Sequence, residues 1–224
     1  MGAVSMIIVG VADIHGDGAA LEKVLNCEPA IDAVFLLGDI TNFGGQADAE
    51  AIIEIARRHA DTVLGVDGNC DPAEVGNFLE RGGVNLRGRA LAMEGISWTG
   101  IGGSLPCPGR TPNETDEEGF ASMCELALSR TQPGMPFAIA AHQPPLDTAC
   151  DRSFLGHVGS SALRRFIEKH RPVVFLCGHI HEGAGIDRVE GCIVANPGPV
   201  RRGGYIRLDV ESGVVRAIEL KHCR

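Results

Sequence analysis

Apolar and polar positions alternate along this chain in blocks. SMIIVGVAD (5–13), AVFLLGD (33–39) and TVLGVDGN (62–69) are near-continuous apolar runs, each closing on Asp, Gly or Asn. Such runs suit strands covered on both faces. Between and after them, DGAALEKVLN (17–26), DAEAIIEIARRHA (48–60) and PAEVGNFLERG (72–82) carry helical spacing. Strand then helix, repeated, predicts right-handed crossovers and a mostly parallel sheet.

The middle changes character. RALAMEGISWTGIG (89–102) predicts two short strands around a Glu94–Gly95 turn. GSLPCPGRTPNETD (103–116) predicts a loop, and DEEGFASMCELALSR (116–130) a helix with acids in its first turn. PFAIAAH (136–142) reads as a strand ending in His142, followed by a long irregular loop over 143–159. A helix over 160–170, with Ser160 or Ser161 as its N-cap, leads to the strand VVFLCGH (173–179). GCIVANP (191–197), GYIRLDV (204–210) and VVRAIEL (214–220) predict antiparallel strands closing a second sheet. No repeat, linker or low-complexity stretch divides the sequence. The expected architecture is one α/β domain over 1–224, a four-layer αββα sandwich with two mixed sheets flanked by helices.

Composition narrows the partners. A formal charge of −9, from 20 Lys and Arg against 29 Asp and Glu, argues against nucleic acid or an anionic membrane unless a local basic patch exists. The eight cysteines form no C-x-x-C pair, and several sit in apolar runs. Reduced thiols and a cytoplasmic setting are the expectation. AVSMIIVGVA lacks the basic flank of a signal peptide and runs straight into Asp13 and His15, so it reads as a strand.

The candidate chemistry lies where the strands end. Asp13-Ile14-His15, Gly38-Asp39, Gly68-Asn69-Cys70-Asp71, His142 and Gly178-His179-Ile180-His181 each follow an apolar run. Ligands of open α/β sheets bind beyond the carboxyl ends of the strands. Singly, each of these segments is an ordinary turn. Together they bring imidazoles and carboxylates, the donors of zinc, iron or manganese, to one region. Two metals need one carboxylate between them, and Asp39 is the acid with no neighbouring ligand in sequence.

Taken in order, DIH, GD, GNCD, AAHQ and GHIH resemble the motif series of the calcineurin-like metallophosphoesterases, spread from residue 13 to 181. The resemblance implies Asp13, His15, Asp39 and His181 on one metal, with Asp39 bridging to a second completed by Asn69, His142 and His179. It implies in-line attack of a metal-bound water or hydroxide on a small phosphoester, with manganese, iron, zinc or nickel as cofactor. Asn69, Cys70, Asp71 and His142 are the expected catalytic positions. Most family members have His where this chain has Cys70, and small prokaryotic phosphodiesterase-like members share the GNCD form. The paired acid, here Asp71, is expected to orient residue 70.

Phosphodiester hydrolysis is thus the leading expectation. The alternatives are a phosphomonoesterase or nucleotidase, a nuclease, or a protein-binding scaffold of the same fold. His59 and His170 sit near helix ends and read as structural, and His222 as exposed. His157, in the 143–159 loop, reads as a solvated loop histidine, with a spare proton donor as the alternative. GIGGS (100–104) lacks the Lys-Ser/Thr of a phosphate loop. Asn196-Pro197-Gly198-Pro199 predicts a rigid turn near the site, and Arg201, Arg202, Arg110 and Arg152 are candidate phosphate contacts. Loops 41–47, 104–119 and 143–159 are the expected seats of specificity. Oligomeric state leaves no readable mark.

Overall fold

The helices start where polar caps allow. In the computed structural model, which describes residues 5–223, the side chains of Asp17, Asp116 and Ser160 each accept a hydrogen bond from the first turn of the helix that follows. In chain order the elements are β1 (Met6–Val11), α1 (Gly18–Leu25), β2 (Ala33–Leu37), α2 (Gln46–Arg57), β3 (Thr62–Val66) and α3 (Ala73–Arg81). There follow β4 (Ala90–Met93), β5 (Ile96–Ile101), α4 (Glu117–Arg130), β6 (Phe137–Ala141), the short β7 (Arg152–Ser153) and β8 (Gly156–His157), and α5 (Ser161–His170). The chain closes with β9 (Val174–Leu176), β10 (Gly185–Val189), β11 (Cys192–Asn196), β12 (Gly204–Glu211) and β13 (Val214–His222).

Two large sheets form, in the orders β13-β12-β1-β2-β3 and β10-β11-β9-β6-β5-β4, while β7 and β8 pair as a small antiparallel ribbon. Strands β1, β2 and β3 are mutually parallel, as are β5, β6, β9 and β11. One apolar cluster lies between the sheets and includes Phe35, Leu37, Val66, Trp98, Ala140 and Leu176. Phe35 meets Trp98 edge-on there, with ring centroids 4.8 Å apart, an arrangement worth about 0.5–1.5 kcal/mol beyond its area. A second cluster joins the outer face of the first sheet to α1, α2 and α3, with Leu21, Ile52 and Val75 among its members. A third joins the outer face of the second sheet to α4 and α5 through Phe120, Leu163 and Phe166. These are the four expected layers.

Three expectations need correction. β12 and β13 do not extend the second sheet: β12 pairs antiparallel with β1, and β13 with β12, in the first. β11 joins the second sheet but runs parallel to β9, because the chain first makes β10, an outer strand paired antiparallel with β11. GIDRV, which forms β10, alternates exposed and half-buried positions up to Val189, and so lacks the continuous apolar run that marks the central strands. The third correction concerns the thiols. Cys27, after α1, and Cys223, after β13, form a disulfide, while the other six cysteines are free. A pair separated by 196 positions leaves no trace in local spacing. No helix among the described residues is long and apolar enough to cross a membrane.

Candidate metal centre

Register aligns the ligand-bearing turns. Leu36 pairs with Val11 on one side and Gly65 on the other, so β1, β2 and β3 end together. In the second sheet Ala141 pairs with Ile101 and Ala140 with Leu176. The ladders run on into the turns through Asp13 N to Gly38 O (3.2 Å), His15 N to Asp39 O (2.8 Å) and Gly178 N to His142 O (3.0 Å). The ends of both sheets therefore meet at one place. Gly38, at φ +83°, admits the His142 ring, with which any Cβ would collide.

Asp13, His15, Asp39 and His179 all hold left-handed backbone, at φ 52°, 49°, 48° and 67°. Non-glycine residues keep this conformation only where their surroundings enforce it, commonly at functional sites. Here it turns successive side chains inward. Donor atoms of Asp13, His15 and His181 lie within 4.8 Å of one another, and so do those of Asp39, His142 and His179. A third set, His15, Asp39 and Cys70, overlaps both and places Asp39 between them. The His15 and His181 rings are 5.5 Å apart, and the His142 and His179 rings 5.0 Å.

The wiring of His142 shows what fits. Its Nδ1 faces the Leu37 carbonyl at 2.9 Å, which must accept, so Nδ1 carries the proton. Nε2 then points its lone pair at Asn69 Oδ1 (3.0 Å) and Asp39 Oδ1 (3.4 Å), two more acceptors. Three acceptors converging on one spot repel unless a cation or a proton lies among them. Burial opposes charge on the His142 ring, yet Asp39, facing it, overrules burial and raises its pKa to about 9. Burial, helped by the neighbouring His142, instead pushes His179 down to about 4, leaving it the neutral imidazole that ligates metals. His15 Nδ1 is buried and has no hydrogen-bond partner among the described residues. The donor set fits metal ions.

Asp71 is fully buried. Its carboxylate accepts from Gly68 N (2.8 Å), Ile40 N (3.0 Å), Thr41 N (2.8 Å) and Thr41 Oγ1 (2.9 Å). Those four bonds lock the Asp39 turn to the Asn69 turn, and Asp71 positions Cys70 through the backbone. Cys70 N donates to Asp39 Oδ1 (2.8 Å), and the Asn69 amide donates to its sulfur (3.4 Å). Burial, with Asp39 as the next cause, holds the Cys70 thiol far above its ordinary pKa.

The cluster opens into a cavity of about 360 Å³, whose walls include Asn69, Cys70, Cys107, Pro108, Thr111 and Glu182. Loop 104–119 reaches this mouth; 41–47 and 143–159 do not line it. His157, the candidate spare proton donor, instead bonds Asp151 at 2.6 Å and lines another surface cavity with Arg152. Arg202 donates to the His181 carbonyl (2.7 Å) and braces the turn from outside the mouth. Neither Arg110 nor Arg201 lines the mouth. Asn196 is buried where the rigid turn was expected, donating to the carbonyls of Cys150, Gly178 and Ile180, so it stitches the GHIH segment in place. Cys107 and Glu182 were missed; the only signal for the first was a cysteine between two prolines.

Residues 6–183 match the calcineurin-like phosphoesterase family. The chain belongs to that family. A family relative in Methanocaldococcus jannaschii, the uncharacterized protein MJ1162, is 35% identical over 202 residues, covering 87% of this chain and 88% of its own. Among solved structures, TT1561 of Thermus thermophilus superposes with a TM-score of 0.75 at 20% identity, covering 99% of this chain and all of that one. A dimetal phosphatase from Danio rerio gives 0.58 at 12% identity, with full coverage of both chains. These two likenesses are of fold. Family membership makes the chain a metal-dependent phosphoesterase.

Proposed function

We propose that the chain is a phosphodiesterase with a dinuclear centre, the ions held by Asp13, His15, Asp39 and His181 and by Asp39, Asn69, His142 and His179. The dimetal phosphatase among its structural relatives supports the two-ion reading. Bound ions would supply Lewis acidity toward a phosphoryl group and ease ionisation of water. The chain's own residues do the rest. Asp71 fixes the Asn69 turn against the Asp39 turn.

The preference for diesters rests on one observation: among the described residues no Lys or Arg lines the mouth, and Glu182 does. A monoester dianion asks for cationic side chains beyond the metals, whereas a diester carries a single charge. Nor does the mouth offer an imidazole at position 70 to protonate a leaving oxygen. The reaction therefore depends on leaving groups that depart as stable anions, such as aryl oxides.

Kinetics with bis-aryl and mono-aryl phosphates, in turn with manganese, zinc and iron(II), test this reading. The diester is expected to have the higher kcat/KM; a higher value for the monoester overturns it. Cys70→His is expected to flatten the dependence on leaving-group pKa and to raise rates with poor leaving groups by ~10²-fold or more, the reach of a general acid. An unchanged slope would show that position 70 is not near the departing oxygen.

A further inference from the structure

The two cysteines that pair lie outside the donor cluster, yet a short chain of contacts joins them to it. Their disulfide links the segment after α1 to the residue after β13. Between these two ends sits the short turn of Val200, Arg201 and Arg202. α1 packs against that turn, and Cys223 N donates to the carbonyl of Gly203, the residue after it, at 2.8 Å. On its other side the turn reaches the cluster. Arg202 Nη1 donates to the His181 carbonyl (2.7 Å), and Val200 N donates to Ala12 O (3.1 Å), one residue before Asp13. We propose that Cys27 and Cys223 form a redox-sensitive clamp on the cation site of Asp13, His15 and His181. Oxidised, the pair holds the 200–203 turn against the His181 carbonyl; reduced by a dithiol, it lets that site release its ion more readily.

The disulfide is open to exchange. Cys27 is exposed and Cys223 half-buried, whereas Cys124, Cys150, Cys177 and Cys192 are buried. Cys223 lines a surface cavity of about 120 Å³ together with Lys23, Arg201 and Arg202. Such cations favour the thiolate form of a sulfur beside them. Exposed disulfides are the ones that exchange with free thiols. The step balances without a further reactant. One thiolate of the dithiol attacks a protein sulfur, the S–S bond breaks, and the second thiol of the dithiol resolves the mixed disulfide. The protein gains two electrons and two protons as two thiols, and the dithiol becomes its own disulfide.

Reduction loosens the turn without undoing the sheet. Glu28, buried next to Cys27, accepts from Tyr205 Oη (2.9 Å) and pairs with Lys221 and with Arg207 Nε (3.3 Å). Those bonds hold the exit of α1 to β12 and β13 in either redox state, and the β12–β13 ladder runs to His222. What reduction removes is the covalent tie at Cys223, which anchors Gly203. His142 takes its bracing from the Leu37 carbonyl instead, so the other half of the cluster keeps its hold.

This inference rests on the metal centre proposed above, and the test reads the two separately. Metal-depleted full-length protein is prepared oxidised, with oxidised dithiothreitol, and reduced, with dithiothreitol that is then removed under inert gas. Alkylation and peptide mass spectrometry report the Cys27–Cys223 bond. Hydrogen exchange of the metal-free protein reads the clamp: reduction is expected to speed exchange at residues 200–203 and to leave β6 unchanged. Titration with manganese, with bound metal counted by elemental analysis, reads the coupling. The reduced protein is expected to need about three- to fivefold more free metal to fill its weaker site, the scale of one neutral hydrogen bond, with the tighter site unchanged. Cys27→Ser should match the reduced protein under both conditions. Arg202→Met should be weakened already and lose little more on reduction, because both changes break the same link. Equal weak-site affinities in the two redox states overturn the inference, as does an Arg202→Met protein that weakens on reduction as much as the parent. Absence of the Cys27–Cys223 bond in the oxidised sample overturns it too. A chain that binds no metal in either state overturns the centre, and faster exchange at 200–203 then still supports the clamp, while unchanged exchange removes it as well.

Discussion

The two halves of the donor cluster are built to different standards. Around Asp13, the His15 and His181 side chains are 23% and 25% exposed, and His15 Nδ1 has no hydrogen-bond partner among the described residues. Around Asn69, the His142 side chain is fully buried, its Nδ1 tied to the Leu37 carbonyl, and Asn69 is buried beside it. The first half draws its two histidines from turns that face solvent. The second is wedged between the ends of both sheets. Preorganised, desolvated donors hold a cation more tightly than donors that must be gathered from water. The lesson is an ordering: the ion beside His142 should bind first and leave last, and the ion beside His15 and His181 should exchange with the medium.

Asp39 is the ligand proposed to serve both halves, so its loss should have the largest effect. Asp39→Ala is expected to abolish turnover, by about 10³-fold or more given the several kcal/mol that metal charge stabilisation supplies. It should also leave less than one tightly held ion per chain by elemental analysis. Activity within tenfold of the parent would sink the bridging role and with it the two-ion reading.

Next come the substitutions that set one half against the other. His142→Ala should lose the tightly held ion and most activity. His181→Ala should retain about one ion per chain after dialysis and recover part of its activity as metal is raised, since a weakened site fills by mass action. Equal stoichiometries in the two variants, or rescue of His142→Ala but not of His181→Ala, would break the comparison and mean that burial does not rank the two halves.

The legibility of this molecule in its sequence follows the same divide. Residues in the turns that follow buried strands could be read, because an apolar run must end and its last polar residues must face the site. Asp13, Asp39, His142 and His179 fall in that class. The layer structure was readable for the same reason. What escaped came from long-range geometry. β12 and β13 return to the first sheet, a choice made by pairing with β1 that no local pattern records. Asp71 sits next to Cys70 in sequence, which suggested an orienting partner, yet four donors from two turns claim its carboxylate. Cys107 is 72 positions from His179, in a loop with no periodic signal, and only folding brings them together.

The smallest effect should come from outside the cluster. Arg202 touches no donor atom of the proposed ions. Its guanidinium donates to the backbone carbonyl of His181, from a short turn that α1 packs against. Arg202→Met keeps most of the side chain's apolar length and removes only that bond, so the His181 turn loses one restraint and the buried half loses none. The expected result is a few-fold rise in the metal concentration needed for half-maximal activity, in line with a neutral-acceptor hydrogen bond of about 1 kcal/mol. The tightly held ion and the thermal stability of the metal-loaded protein should be unchanged. If Arg202→Met instead releases the tightly held ion, the two halves share their bracing, and the exposure of His15 and His181 no longer explains which ion is labile.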